Sequence, residues 1–426
     1  MERSDPRYQA YVGILKEELI PAMGCTEPIA LAYAAAKARE VLGVLPESVQ
    51  LQVSGSIIKN VKSVIVPNTG HLKGMEAAAA AGIIAGSAEK ELEVIAEVSA
   101  DKQAAIRDYL QTVPISIEHI EQGHVFDIIV TERCGDAWAK VRIADFHTNI
   151  CLIEKDGKVL YEKPLADEAV QESSRADRSL LNMKDIWEFA ETADLRDVAD
   201  LLERQIRYNN AIAEEGLLGD YGANIGRVLL STYGNDVSNR AKAKAAAGSD
   251  ARMNGCELPV IINSGSGNQG ITCSVPLIEY AKELHSGKEK LYRALIISNL
   301  VAIHEKTGIG TLSAYCGAVS AGAGAGAGIV YLCGDGYEAA IHTVVNALAI
   351  VSGIVCDGAK ASCAAKIASS VDAALLGYNM YKCNQEFKGG DGIVMKDIET
   401  TIKGIGRLGK DGMKETNEEI IRLMIE

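Results

Sequence analysis

The sequence predicts an α+β fold in which a smaller N-terminal module of mixed strands and helices precedes a larger, mainly α-helical domain. Three observations predict it. Between about residues 45 and 165, short β-branched runs alternate apolar with polar residues and end at turn residues. Beyond about residue 180 that alternation fades, and apolar residues recur at helical spacing. The core-forming material is also small and aliphatic: 48% of the chain is hydrophobic but only 5% aromatic, and 41 residues are Gly. Closely packed helices use such residues well. A chain of 426 residues accommodates two or three domains. The expected division is 1–44, N-terminal helices that carry Cys25 and pack on the helical domain; 45–165, the α+β module; and 166–426, the helical domain.

Taken in order, residues 8–42 read as helix broken by Pro21 and Pro28 around Gly24-Cys25-Thr26-Glu27. Ile14, Leu15, Leu19 and Ile20 precede the break, and an Ala-rich run from Ile29 to Ala38 follows it. Val49-Gln50-Leu51-Gln52-Val53 alternates as a half-buried strand does. The β-branched run Val61 to Val66, closed by Pro67-Asn68-Thr69-Gly70, reads as a second strand, and Met75 to Ala85 as a small-residue helix. Four further strands are expected at 94–98, 115–120, 126–131 and 139–143. Residues 148–154 and 159–162 flank the hairpin turn Asp156-Gly157. After a polar, charged stretch at 163–178, helices are expected at 181–213, 282–306, 311–331, 338–355 and 361–376. Within the third of these, Ala321 to Gly328 alternates Ala with Gly. Gly is unfavourable in a helix by roughly 0.5–1 kcal/mol relative to Ala, so four of them require a compensating reason. Close approach of neighbouring backbones, or crowding near a bulky group, supplies one.

Charge narrows the function classes. With 57 acidic against 43 basic residues the net charge is −14, which repels phosphate backbones, and no basic block offsets it, so nucleic acid is not an expected partner. Residues 1–11 are polar and charged, with no apolar signal region after them. The most apolar segment, 339–355, is interrupted by His342 and Asn346 and is short for a bilayer span, so no membrane association is expected. A cytoplasmic protein is the expectation. There, ten cysteines do not form a disulfide framework, because thiols stay reduced.

Four constellations carry chemistry. Cys316, Cys356 and Cys363 are separated by 40 and 7 residues, unlike the tight pairs of zinc ribbons. That spacing fits either small core residues or thiolates gathered around a cluster from separate helix ends. Cys25 sits in a helix break between prolines, where the helix dipole favours a thiolate, so it is a candidate base or ligand; simple packing in a capping turn is the other reading. Asn263-Ser264-Gly265-Ser266-Gly267-Asn268-Gln269-Gly270 offers hydroxyls, amides and unobstructed N–H groups to a carboxylate or phosphate, without the context of a dinucleotide fingerprint. Just upstream, Arg252 in Ser249-Asp250-Ala251-Arg252-Met253 is suited to bidentate carboxylate binding or to a structural ion pair. His147, in His147-Thr148-Asn149 at a strand end, reads better as a hydrogen-bonded structural histidine than as a catalytic one.

Together these motifs, in this order and over nearly the whole length, resemble the L-cysteine desulfidases, distant kin of the iron–sulfur L-serine dehydratase α-chain. The resemblance rests on Gly24-Cys25-Thr26-Glu27-Pro28, Ser249 to Met253, Asn263 to Ile271, Cys356-Asp357-Gly358-Ala359 and Ser362-Cys363-Ala364. It implies a serine-dehydratase-like catalytic domain and an oxygen-sensitive [4Fe–4S] cluster on Cys316, Cys356 and Cys363. Three thiolates leave one iron open to act as a Lewis acid on the substrate's β-substituent. It further implies Cys25 as acceptor of the α-proton, with Ser264, Gly265, Ser266, Gly267, Asn268, Arg252, Thr26 and Glu27 binding a small amino acid. The serine dehydratases carry Cys-Asp-Pro where this chain has Cys356-Asp357-Gly358, which favours the desulfidase branch. L-Cysteine is thus the expected substrate, with L-serine or another β-substituted amino acid the alternative. Cys134, Cys151, Cys256, Cys273, Cys333 and Cys383 match no family role and are expected in the core.

Two rivals remain at this level. A pyridoxal-phosphate eliminase would use Lys360 or Lys366 as its Schiff-base lysine, but the chain reads as helical where that cofactor's domain would lie, and no pyridoxal phosphate is expected. A non-catalytic iron–sulfur or thiol sensor would use Cys25 as a fourth ligand. A homodimer is the base-rate expectation for assembly.

Overall fold

A computed structural model of the protein describes residues 1–121, 123–165, 175–310 and 313–425. Of the polar stretch at 163–178, residues 166–174 lie outside the described residues, as do 311 and 312 at the start of the helix expected from 311.

The N-terminal break forms as the prolines require. Helix α1 (Pro6–Glu18) starts on Asp5, whose carboxylate accepts the Arg7 N–H, and is followed by the short strand β1 (Pro21–Met23). Helix α2 (Thr26–Leu42) then begins directly after Cys25 and ends on Gly43 at φ 86°, a left-handed conformation that glycine adopts without strain. The 1–44 segment divides between two cores. Tyr8, Tyr11, Ile14 and Leu15 of α1 join the helical core, whereas Ile29 to Ala38 of α2 join the core beneath the sheet.

That sheet contains β2 (Ser48–Ser54), β3 (Ile115–Ile120), β4 (Asp127–Cys134), β5 (Ala137–Ala144), β6 (Ile150–Lys155) and β7 (Lys158–Glu162), in the order β3-β2-β4-β5-β6-β7. Only the β2–β3 pairing is parallel. On β2 the alternation holds residue by residue: Val49, Leu51 and Val53 face inward, while Gln50 and Gln52 bond Glu118 across the outer face at 2.8 and 3.0 Å. Helix α2 covers β4 and β5 on the inner face, and α4 (Gly74–Ala85) packs on α2, both through alanines.

Two expected strands are absent. Residues 55–61 form helix α3 (Gly55–Val61), burying Ile57, Ile58 and Val61, and the remainder of the 61–66 run pairs only through an isolated Ile65–Lys73 bridge. At 94–98, Val94 and Ile95 anchor a loop: the Ile95 carbonyl is satisfied by the Asn68 side chain at 2.8 Å, so it needs no ladder partner. In both places burial outweighed β propensity. The sequence reading also missed helix α5 (Ala100–Thr112), which buries only Ile106 and Tyr109.

The second part is helical: α6 (Met183–Thr192), α7 (Ala199–Leu218), α8 (Ile225–Tyr233), α9 (Val237–Met253), α10 (Gly267–Glu283), α11 (Lys288–Ile309), α12 (Gly317–Cys333), α13 (Tyr337–Val351), α14 (Ser362–Lys382), α15 (Ile398–Arg407) and α16 (Lys414–Ile425). The helix expected over 181–213 is two, because Asp194 caps a single turn at Leu195–Asp197 and redirects the chain. A short strand β8 (Pro259–Ile261) pairs antiparallel with β1. No described helix is long and apolar enough to cross a membrane.

Helix α12 carries the Ala-Gly alternation at the centre of the bundle. A Cβ on Gly324 or Gly328 would lie 2.4 or 2.8 Å from backbone carbonyls of Ser298 or Ala294 on α11. On the opposite face, one on Gly322 or Gly326 would meet Ser370 or Ala374 of α14 at 2.8 Å. Backbone approach on two sides, rather than a bulky group, therefore explains the glycines.

One buried acid predicts a pH effect. Glu132 on β4 is fully buried, neither carboxylate oxygen has a partner, and burial raises its pKa from 4.5 to about 9 against a small opposing pull from Arg39. The unfolded chain releases this proton first, so stability falls as pH rises from about 4.5 towards 9. Glu132→Gln should flatten that fall, gaining on the order of 2–4 kcal/mol at pH 8 relative to pH 5. Urea midpoints at the two pH values check it; parallel shifts in both proteins would refute it.

Candidate functional site

The strand pair β1–β8 brings the N-terminal motif to the glycine-rich loop. Pro21 registers with Ile261 and Met23 with Pro259. Because the pair is antiparallel, the Cys25 motif and the 263–266 loop leave this very short pair at opposite ends. Gly24 turns the chain at φ 56°, and a Cβ there would overlap the Pro67 ring at 2.2 Å. The Thr26 hydroxyl then reaches the Gly265 carbonyl at 3.1 Å and closes the two segments together.

The loop is tight. Ser264 and Gly265 are both left-handed, at φ 48° and 74°, and Asn263 and Ser266 exchange backbone hydrogen bonds at 3.1 and 3.0 Å. A buried amide chain fixes its base: Asn263 bonds Asn299 at 3.0 Å, and Asn299 bonds Gln205 at 2.8 Å. Helix α10 starts at Gly267 with no side-chain cap from Ser266, so its first N–H groups face the loop. Arg252, at the end of α9, lies against this helix start, where a Cβ on Gly267 would come 2.2 Å from its Nε. Buried polar atoms without partners cluster here: Arg252 Nε, Asn268 Oδ1, Gln269 Oε1 and His147 Nε2. Enclosed polar groups left unsatisfied are costly, and a small zwitterionic ligand supplies matching partners.

Cys25 immediately precedes α2, as the sequence predicts, but its thiol does not behave as the dipole alone suggests. Its Sγ donates to Glu27 Oε2 at 3.0 Å, while Thr26 Oγ1 and Asn60 Nδ2 donate to the same carboxylate at 3.1 and 3.2 Å. Burial, then the Glu27 charge, raise its pKa well above 9.0, with Arg252 opposing. A helix N-terminus is worth about 0.3–1 kcal/mol, whereas full burial shifts a pKa by up to about 3–5 units. Desolvation wins.

The three other cysteines also come together. A bridge between Tyr315 and Val355 sets Cys316 beside Cys356: the Cys316 N–H donates to Ile354 O at 3.2 Å and the Cys356 N–H to Ala314 O at 2.6 Å. Burial, then the charge of Cys356, push Cys316 up to about 12, and Cys363 is raised by the same two causes. Cys363 donates to Gly358 O at 3.5 Å and packs, with Ala359, against Cys25, Val64 and Met253. Gln269 links this set to the loop, since a Cβ on Gly317 would stand 2.6 Å from its amide. All ten cysteines are free; Cys151, Cys256 and Cys273 are buried as expected, but Cys134 is only half-buried, and Cys333 and Cys383 are exposed at helix ends.

Does this set fit the implied cluster? Among the described residues no three His, Cys, Asp or Glu side chains converge as on a single ion. A cubane makes no such demand, because each thiolate binds a different iron. The donors are three neighbouring thiols, and the buried Lys59 and Lys306 feel Cys356 as their leading opposite-charge neighbour. Lys366 is raised first by Asp357, with Cys316 and Cys363 adding to it. Thiol donors in electropositive surroundings fit an anionic iron–thiolate centre.

Sequence reasoning missed several of these groups. His147, read from the sequence as structural, packs edge-on against Phe126, but its Nε2 has no hydrogen-bond partner and its ring comes 3.4 Å from where a Gly265 Cβ would be. Burial lowers its pKa; Glu27 and Arg252 are the charges it feels. Gln269, directly after the loop, was visible in the motif. Asn299, Gln205, Lys59 and Lys306 lie far off in sequence and carried no signal.

Comparison with known proteins adds the following. A family model described as serine dehydratase alpha chain matches residues 89–422. A UPF0597 protein of Desulfitobacterium hafniense is 62% identical over 100% of this chain and 98% of its own length. Another from Lachnoclostridium phytofermentans is 52% identical over 98% and 100%, and one from Treponema denticola 46% identical over the whole of both chains.

Proposed function

The chain belongs to the serine dehydratase alpha chain family, and on that premise we propose that it is a lyase eliminating the β-substituent of a small L-amino acid. L-Cysteine is the proposed substrate, with pyruvate, ammonia and sulfide as products. The observation that carries this reading is the joining of three chemistries in one place. Cys25 belongs, with Val64 and Met253, to the small buried cluster on which Cys363 packs, and through Glu27 and Thr26 it is tied to the Gly265 loop on the other side.

Arg252 and the first N–H groups of α10 receive the substrate carboxylate, and the unpartnered Asn268 Oδ1 accepts from its ammonium group. Cys25 passes its proton to Glu27, 3.0 Å away, and the thiolate takes the proton from Cα. Cys316, Cys356 and Cys363 would hold a [4Fe–4S] cluster, whose open iron would supply Lewis acidity toward the leaving group. The enamine left by elimination hydrolyses to pyruvate and ammonia. A thiol of pKa about 8.5 makes sulfide a far better leaving group than hydroxide, which favours cysteine. The family description favours L-serine, which the same residues would bind identically.

The test is anaerobic: reconstitute with iron and sulfide, then assay pyruvate from L-cysteine and from L-serine, with sulfide release from the former. Pyruvate from neither, in protein holding its iron, would refute the proposal. Asn268→Ala should raise KM on the order of tenfold with iron content unchanged; unaltered kinetics would remove Asn268 from the site.

A further inference from the structure

The groups assigned to the substrate are closed off. Cys25 is 3% exposed and Arg252 2%, and the unpartnered Arg252 Nε, Asn268 Oδ1 and Gln269 Oε1 are sealed from solvent. A ligand meets them only if some element moves.

Residues 219–236, between α7 and α9, are lightly held. Of α8, which lies within them, only Gly226 is buried, and Val228 and Tyr233 are 51% and 67% exposed. Ile225 and Leu229 join neither main core; they pack on a separate small cluster of Ala246, Ala364 and Ala368. Gly222 and Gly234, at φ 58° and 86°, bend the chain before and after the helix. An element with so few buried apolar contacts opens far more readily than the core does.

This segment also lies against the site. Asp250, two residues before Arg252 on α9, accepts the Gly226 N–H at 3.3 Å. A Cβ on Gly222 would lie 2.4 Å from Asn254 Nδ2 and 3.3 Å from the Cβ of Ala361. Asn254 follows Met253, which shares a buried cluster with Cys25, and Ala361 stands two residues before Cys363. The segment therefore bridges the end of α9 to the start of α14. Its hold through Asp250 is weak. That carboxylate is fully buried with Oδ1 unpartnered. Burial raises its pKa to about 6, opposed by the N–H groups of Gly226 and Ile225 and by Arg227. Because the closed-state value lies above the ordinary 3.8, the charge Asp250 carries at neutral pH works against closure, and opening hydrates it.

We propose that residues 219–236 form a hinged flap over the candidate site, lifting from the ends of α9 and α14 to admit a small amino acid, with Asp250 as its weak latch. The ligand rests on the reading under Proposed function; the motion does not.

The test labels the full-length apo protein, purified without oxygen, with the small thiol reagent methyl methanethiosulfonate at neutral pH. Peptide masses follow Cys25 and, as a control, Cys273, which is fully buried in the bundle against Ala302 and Ala321. Ile225→Ala removes a contact that holds the flap down and should speed Cys25 labelling on the order of tenfold. Asp250→Asn keeps an acceptor for the Gly226 N–H but loses the charge, and should slow Cys25 labelling on the order of tenfold. Cys273 should label at the wild-type rate in both. Wild-type labelling of Cys25 in both variants would overturn the proposal and place entry at the half-buried residues 264–266. Should Cys273 speed up together with Cys25 in Ile225→Ala, general loosening explains that variant, and an unslowed Cys25 in Asp250→Asn then overturns the flap. Labelling as expected in a protein that, loaded with iron, forms no pyruvate would overturn the lyase reading and leave the flap standing.

Discussion

Cys25→Ser should lose turnover by on the order of 10²–10⁴ while keeping its full iron. The hydroxyl still reaches Glu27, so the hydrogen bonds that hold Thr26 and Asn60 in place survive. What disappears is a group able to give up a proton and take one from Cα, because an alcohol is far less acidic than even a buried thiol. Iron content is the discriminating readout. Cys363 packs on the small buried cluster that contains Cys25, so a variant that lost iron would make Cys25 a fourth ligand and favour a sensor over an enzyme.

Gly358→Ala is expected to be the most damaging single methyl group in the site. Gly358 has φ 94°, where an L side chain is strained, and its Cβ would lie 2.0 Å from the Lys59 carbonyl oxygen. Backbone cannot rotate away as a side chain can. The 356–363 loop would have to move, carrying two of the three clustered cysteines, one of which already bonds Gly358 O. Most of the iron should be lost on reconstitution, and the apo protein should be destabilised by about 2–4 kcal/mol. Iron per chain and thermal melting check both. Wild-type values for the two would mean that the loop tolerates displacement and does not set the cysteine positions.

How much of this was legible beforehand depended on range. Local patterns were readable: the alternation at Val49 to Val53, the hairpin at Asp156-Gly157, and the break at Gly24 to Pro28 all fold as written. Local patterns that compete with burial were not. Val61 to Val66 has strand composition, yet its first residue closes a helix because Ile57, Ile58 and Val61 share a buried face. In the site, the motifs named Cys25, Arg252, the 263–270 loop and the three cysteines, and these do gather. Their order in the chain, however, could not show that Thr26 bonds Gly265 or that Cys363 packs on the cluster holding Cys25. The groups missed altogether, Lys306, Lys59, Asn299 and Gln205, matter through three-dimensional neighbours far away in sequence. An isolated lysine in a helix looks like any solvated lysine until its burial is known.

The glycine-faced α12 has a mechanical consequence for the cysteine at its head. Side chains in an ordinary interface accommodate small errors by changing rotamer, so a misplaced methyl is absorbed where it arises. Along α12 the contacts with α11 and α14 include backbone carbonyls and Cβ atoms, which have no rotamers to change. A substitution anywhere on those two faces must therefore shift the helix as a rigid rod, and Cys316 immediately precedes its first residue. Sequence drift at Gly322, Gly324, Gly326 or Gly328 is thereby registered as displaced sulfur at the head of the helix, so the proposed cluster site inherits the tolerance of a packing joint further along it.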